Sequence, residues 1–190
     1  MMILPSILQS AHQWAAKVLV PGGIAIDATV GNGHDTLFLA QQTGPDGQVF
    51  GFDIQKQAID NTYKRLVHNN QHHQVKLFHC SHHQMQEKLP EQLGGNVHVV
   101  MFNLGYLPRG NHQLVTKPDT TLKALEAAIY YLMPGGLCTV ALYTGHPGGQ
   151  TESDQVIRWA SSLPSRHYQV MWQQFVNRHQ APSLLIIEKR

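Results

Sequence analysis

The sequence predicts an α/β fold: a doubly wound, mostly parallel seven-stranded sheet that ends in an antiparallel hairpin. Three observations carry this. Five short apolar runs alternate with segments of helical periodicity. A glycine-rich turn links the first run to the helix after it. The last two runs have no helix between them, and so short a connection makes a hairpin.

Each element has its own signal. Ser6 caps a first helix over residues 7–19, with Ile7, Leu8, Ala11, Ala15, Val18 and Leu19 on one side. Pro21-Gly22-Gly23 stops it. Strand one is 24–29, followed by a helix over 34–42 and a Gly44-Pro45-Asp46-Gly47 turn. Strand two is 48–53. The helix over 56–69 turns Ala58, Ile59, Tyr63 and Leu66 inward. Strand three is 75–80, with a short helix over 83–89. Strand four, 97–102, ends at Asn103 and opens into the loop 104–110. A helix over 120–132 is ended by Pro134-Gly135-Gly136. Strand five is 137–143, the next helix 152–162, and the final strands 168–175 and 184–188.

The 190 residues, 42% hydrophobic, suit one domain over 1–190, with the N-terminal helix packed on it. No apolar run approaches the roughly 18 residues of a membrane span. The first residues lack the charged and apolar regions of a signal peptide, so a cytoplasmic protein is expected. Cys80 and Cys138 read as free thiols at strand positions. A net charge of +2 excludes the broad basic field of a non-specific nucleic-acid binder but permits a local patch. The 13 histidines add positive charge below about pH 6.5.

The glycine turn predicts the site. Ligands of open α/β sheets bind beyond the carboxyl ends of the strands. Asp27 lies at the first such end. Gly31 and Gly33 give the turn its positive φ and leave room for a nucleotide-like ligand. Asp53, twenty residues after Gly33, is spaced to grip ribose hydroxyls. NAD enzymes and S-adenosylmethionine (SAM) enzymes both use such an acid, and the third glycine of the NAD pattern is Thr36 here. Ser81, His82 and Asn103 reach the same edge from strands three and four.

One compact sheet with a terminal hairpin resembles the class I SAM-dependent methyltransferase fold, over nearly the whole chain. That resemblance implies that Thr29, Gly31, Asn32, Gly33, His34 and Asp35 wrap the amino-acid half of SAM. It gives the ribose to Asp53 and the adenine to Ser81 and His82, where an acid is more usual. Asn103-Leu104-Gly105-Tyr106 resembles the (Asn/Asp)-Pro-Pro-Tyr motif of amino methyltransferases, with Leu-Gly in place of Pro-Pro. In that motif the Asn103 side-chain oxygen and the Leu104 carbonyl accept the two N–H bonds of an amine and aim its lone pair. Tyr106 stacks on a base. The chemistry needs no metal, because the methyl donor is already activated and catalysis is mainly positioning.

The stretches 27–35, 102–108, 143–149 and 182–189 together resemble the small bacterial rRNA methylase family. That family is similar to the tRNA methyltransferase acting on wobble 5-aminomethyl-(2-thio)uridine. The resemblance implies methylation of a primary amine in a tRNA anticodon loop. A homodimer would suit a small enzyme gripping a large RNA.

Tyr143, His146 and Gly148, in the loop after strand five, form a further wall of the substrate pocket by position. Pro108 shapes the strand-four loop. Arg109, Lys117, Arg178 and His179 are candidates for phosphate contacts. Residues 116–119 are expected to form a flexible lip. His79-Cys80-Ser81-His82-His83 lacks paired metal-ligand spacing, and no metal site is expected. Trp14, Trp159 and Trp172 read as core or contact aromatics, and His72-His73 as an exposed loop. The alternatives are a methyltransferase for an rRNA base amine or a small metabolite, an NAD(P)-dependent oxidoreductase, and a non-catalytic RNA-binding protein.

Overall fold

The computed structural model describes residues 3–105, 115–178 and 181–190. They form a seven-stranded sheet in the order β3-β2-β1-β4-β5-β7-β6. The strands are β1 (Ile24–Asp27), β2 (Gln48–Asp53), β3 (Val75–His79), β4 (Val97–Leu104), β5 (Leu132–Leu142), β6 (Tyr168–Gln173) and β7 (Ser183–Lys189). The first five run parallel. β7 inserts antiparallel between β5 and β6.

The helices are α1 (Ile7–Ala15), α2 (His34–Thr43), α3 (Lys56–His68), α4 (Met85–Lys88), α5 (Pro118–Tyr131) and α6 (Gly149–Ser161). They divide between the two faces. Alternate strand residues point to opposite sides. Ile26, Val100, Phe102 and Val140 therefore pack with α4, α5 and α6. Ala25, Val49, Val99 and Met101 pack with α1, α2 and α3.

Register brings the strand ends together. Asp27 is level with Gly51 and Met101, Asp53 with His79, and Leu104 with Leu142. The turns after β1, β2 and β4 thus open on one edge.

Some boundaries differ from expectation, for physical reasons. α1 starts at a capping box: Ser6 Oγ accepts the Gln9 N–H at 3.2 Å, and Gln9 Oε1 accepts the Ser6 N–H at 2.9 Å. It ends at Ala15, and residues 16–19 continue as turns. α3 buries Ala58, Thr62 and Leu66, one stripe of i, i+4 neighbours. Tyr63 lies one residue round from that stripe and is 55% exposed, not inward. α5 begins early because Pro118 suits the first helical turn. Pro134-Gly135-Gly136 falls inside β5: Val97 pairs Leu132 but Val99 pairs Leu137, so the excess residues bulge out.

Cys80 and Cys138 are free thiols. Trp159 packs against the core, whereas Trp172 is 47% exposed. No helix among the described residues is long and apolar enough to cross a membrane.

Candidate functional site

A cavity of about 450 Å³ opens where β1, β2 and β4 end. Its floor is set by Asp27, which is fully buried beneath the lining. Thr36 Oγ1 donates to Asp27 Oδ2 at 2.6 Å, and the Thr29 N–H donates to Oδ1 at 3.2 Å. Burial, and then the nearby Asp35 carboxylate, hold the Asp27 carboxyl well above the usual range, against these two bonds. Asp27 therefore shapes the turn from below. It does not line the cavity.

The turn itself is tightly built. Gly31 has φ +53° and Gly33 φ +75°. Gly33 caps α2, and a Cβ there would lie 2.5 Å from Thr62 Oγ1. Thr62 Oγ1 donates to the Gly31 carbonyl at 3.1 Å, and Arg65 Nε donates to the Asn32 carbonyl at 2.8 Å. Gly33 is buried behind the wall, while Gly31, Asn32, His34 and Asp35 line it.

Asp53 closes the next side. Its oxygens accept the Gly31 N–H at 2.9 Å and the Gln55 N–H at 2.8 Å. Each carboxylate oxygen has two lone pairs, so acceptor capacity remains for a ligand hydroxyl. Burial raises the Asp53 carboxyl, and the backbone N–H bonds and His79 oppose this. Ser81 and His82 also reach the lining. His82 is 7% exposed and meets Phe102 edge-on. Burial pushes its imidazole down to about 4, a hydrogen bond to the Ala28 backbone opposing. Its Nε2 is buried and meets no hydrogen-bond partner among the described residues.

Asn103 arrives at the end of β4. Its N–H donates to Thr29 Oγ1 at 2.6 Å. Its side-chain Nδ2 donates to Asp35 Oδ2. Asp35 Oδ1 is bonded to His12 Nε2 at 2.6 Å. His12 stacks flat on Phe38, with centroids 3.9 Å apart. Leu104 and Gly105 continue the wall, and Tyr143, Thr144 and His146 face it from the loop after β5. Burial, then Asp35, raise the Tyr143 phenol, which keeps it neutral. Gly148 is not in the lining. With φ +82° it caps α6, and its geometry serves the helix start.

The catalytic and substrate candidates Tyr106, Pro108 and Arg109, with His179, lie outside the described residues. Lys117 caps α5, and Arg178 sits over the Phe175 ring at 4.9 Å; neither lines the cavity. The lip at 116–119 is anchored rather than loose. Thr116 Oγ1 accepts the Gly105 N–H at 2.9 Å and donates to Glu152 Oε2 at 2.5 Å. Thr121 Oγ1 holds the other Glu152 oxygen at 2.6 Å. Among the described residues no group of three His, Cys, Asp or Glu is placed to hold a metal. His79 and His83 have separate partners, the Ile54 carbonyl and Ser81 Oγ.

Sequence reasoning missed Leu8 and His12, which α1 brings to the site, and Thr116 and Glu152. Leu8 and His12 stand one helical turn apart, so their shared face was readable. What that face meets was not.

A solved structure of the same fold holds a nucleoside ligand. This structure, described as a "putative methyltransferase" from Streptococcus mutans in complex with SAH, has TM-score 0.89 at 33% identity, over 99% of this chain and 100% of that one. The fold is that of a class I SAM-dependent methyltransferase, and the choice between NAD and SAM falls to SAM. A "putative rRNA-methylase" from Clostridium thermocellum has TM-score 0.94 at 37% identity, over 100% of both chains. The chloroplastic tRNA (mnm(5)s(2)U34)-methyltransferase of Arabidopsis thaliana is 42% identical over 188 residues, covering 95% of this chain and 68% of that protein. The family model described as "Putative rRNA methylase" matches residues 49–189, and the chain belongs to that family.

The residues fit SAM. The turn at Gly31 has no Cβ to obstruct a ligand, Asp53 retains acceptor capacity, and His82 offers a buried nitrogen with no partner among the described residues.

Proposed function

We propose that this enzyme methylates the primary amine of 5-aminomethyl-(2-thio)uridine at the tRNA wobble position. The observation that carries the reading is the orientation of Asn103. Its Nδ2 is committed to Asp35, so Oδ1 is the side-chain atom left to face a donor. An acceptor beside a methyl-transfer site suits a nucleophile that bears N–H bonds. The name of the Arabidopsis relative supports the same substrate.

Bound SAM supplies a methyl group activated by its sulfonium. Asp53 holds the ribose hydroxyls, the Gly31–Asp35 turn the amino-acid half, and Ser81 and His82 the adenine. Asn103 Oδ1 and the Leu104 carbonyl accept the N–H bonds of the neutral amine and aim its lone pair. Tyr106 packs on the base. Pro108, Arg109, Tyr143 and His146 border the substrate, and Gly148 shapes the loop that carries His146. An alkylamine has a pKa of about 10, and partial removal from water in the cavity favours the neutral form that attacks. The reading places one domain in the cytoplasm, acting on the anticodon loop of tRNA, where a homodimer would suit the grip on a large RNA.

The test is incubation with SAM and tRNA that carries unmethylated aminomethyl-uridine, followed by nucleoside mass analysis. A gain of one methyl on that nucleoside supports the reading; full turnover by Asn103→Ala sinks it. The family description favours a second reading, an rRNA base amine, and ribosomal RNA belongs in the same assay.

A further inference from the structure

A primary amide is nearly symmetric in shape and opposite in polarity at its two ends. Which end faces a pocket is decided by what holds the other. For Asn103 the holder is Asp35, and Asp35 is itself held by His12. Asp35 is 6% exposed, so little water competes for its oxygens. An ionised carboxylate only accepts, and it therefore requires the NH₂ end of Asn103. The His12 ring cannot swing freely, because it lies flat on Phe38.

The two oxygens of Asp35 have separate partners, His12 Nε2 on Oδ1 and the Asn103 amide on Oδ2. The carboxylate cannot turn toward one without leaving the other. Its charge also reaches Asp27 and Tyr143.

We propose that His12 and Asp35 are positioning residues that orient the Asn103 amide with Oδ1 toward the substrate, so that α1 belongs to the catalytic unit and the site selects a nucleophile bearing N–H. The proposal rests on the amine reading above. It adds a basis for nucleophile selectivity: an acceptor at Oδ1 favours an amine and repels a carbonyl oxygen or a fully substituted nitrogen.

The test measures kcat and KM with tRNA carrying unmethylated aminomethyl-uridine, and SAH affinity by calorimetry. Displacing a positioned group costs up to about 100-fold in rate. His12→Leu and Asp35→Asn are expected to lose tenfold or more in kcat, about the scale of such displacement, with little change in KM for tRNA. His12→Gln retains a donor for Asp35 and is expected to recover most of the loss. The exchange Asp35→Asn with Asn103→Asp restores an NH₂-to-carboxylate bond and leaves an acceptor toward the substrate. Its kcat is expected to exceed that of Asp35→Asn alone. Wild-type kcat in His12→Leu and Asp35→Asn, with loss in Asn103→Ala, overturns this proposal and leaves the amine reading standing. Full turnover in Asn103→Ala overturns both. Should His12→Leu fail to fold, the exchange pair decides: no gain over Asp35→Asn alone overturns the proposal.

Discussion

Asp53 Oδ2 accepts the Gly31 N–H at 2.9 Å, so the acid that ends β2 also fixes the glycine turn. The Gln55 N–H occupies its other oxygen. One carboxylate therefore ties β2 to the loop after β1 and retains acceptor lone pairs on the cavity side. Asp53→Asn sets an NH₂ against one of these N–H groups. Hydrogen bonds to charged groups are worth about 1.5–3 kcal/mol. SAH affinity is expected to fall about 10- to 100-fold, the equivalent of that energy. Calorimetry checks this, and unchanged affinity would remove Asp53 from the cofactor site.

Gly33→Ala meets both a positive φ and Thr62. The new Cβ would lie 2.5 Å from Thr62 Oγ1. Gly44 shares the positive φ, at +68°, but has nothing within 4 Å of its Cβ position. Backbone strain alone costs about 1–3 kcal/mol. Gly33→Ala should therefore lower Tm further than Gly44→Ala, at about 2–4 °C per kcal/mol in a chain of this size. Equal losses in thermal melts would show that Thr62 yields at no cost.

His82 makes stability depend on acid. Burial depresses its pKa from 6.5 to about 4. Between those values the unfolded chain binds more protons, so stability rises with pH across the window and is lost as pH falls through the folded value. The contribution is on the order of 3 kcal/mol at 1.36 kcal/mol per unit. Asp27 runs the other way. Its raised carboxyl contributes stability that is lost as pH rises through its folded pKa. His82→Gln should flatten the rise in Tm from pH 4 to 6.5, the window its own shift defines. An unchanged slope would assign the acid sensitivity elsewhere.

Lys189 is a capping residue delivered by a strand. Its Nζ donates to the carbonyls of Ile129, Tyr130 and Leu132 at 2.9, 3.3 and 2.7 Å. These groups lie at the end of α5, where carbonyls lack helical partners. Lys189→Met should cost about 1 kcal/mol, the low end of the penalty for orphaned polar groups, because these carbonyls are only partly shielded from water. Urea unfolding measures it, and a change below the usual surface range of about 0.5 kcal/mol would mean that water replaces the ammonium.

What was legible in the chain was local. Strand, glycine turn and helix follow one another within residues 24–43, and Asp53 ends the adjoining strand. Backbone geometry then brings Gly31 and Asp53 together without help from distant segments. Asn103 was legible for the same reason, as the end of a long apolar run. Tyr63 was misplaced because a periodic pattern admits neighbouring stripes, and the buried one carries Thr62. His12 and Asp35 are separated by 23 positions and joined only by the packing of α1 across the sheet. Glu152 stands in the first turn of α6. Its two threonine partners come from another loop and helix.

The strand order has a consequence for biosynthesis. β6 precedes β7 in the chain, yet reaches the sheet only through β7. As the polypeptide emerges, β6 has no ladder to join until residues 183–189 have been made. Until then the β5 edge has no antiparallel partner, and β6 can join the sheet only together with β7. Chaperones that shield exposed strand edges would be expected to act in that interval. Completion of the sheet thus waits on residues 183–189, which supply the partner that both β5 and β6 need.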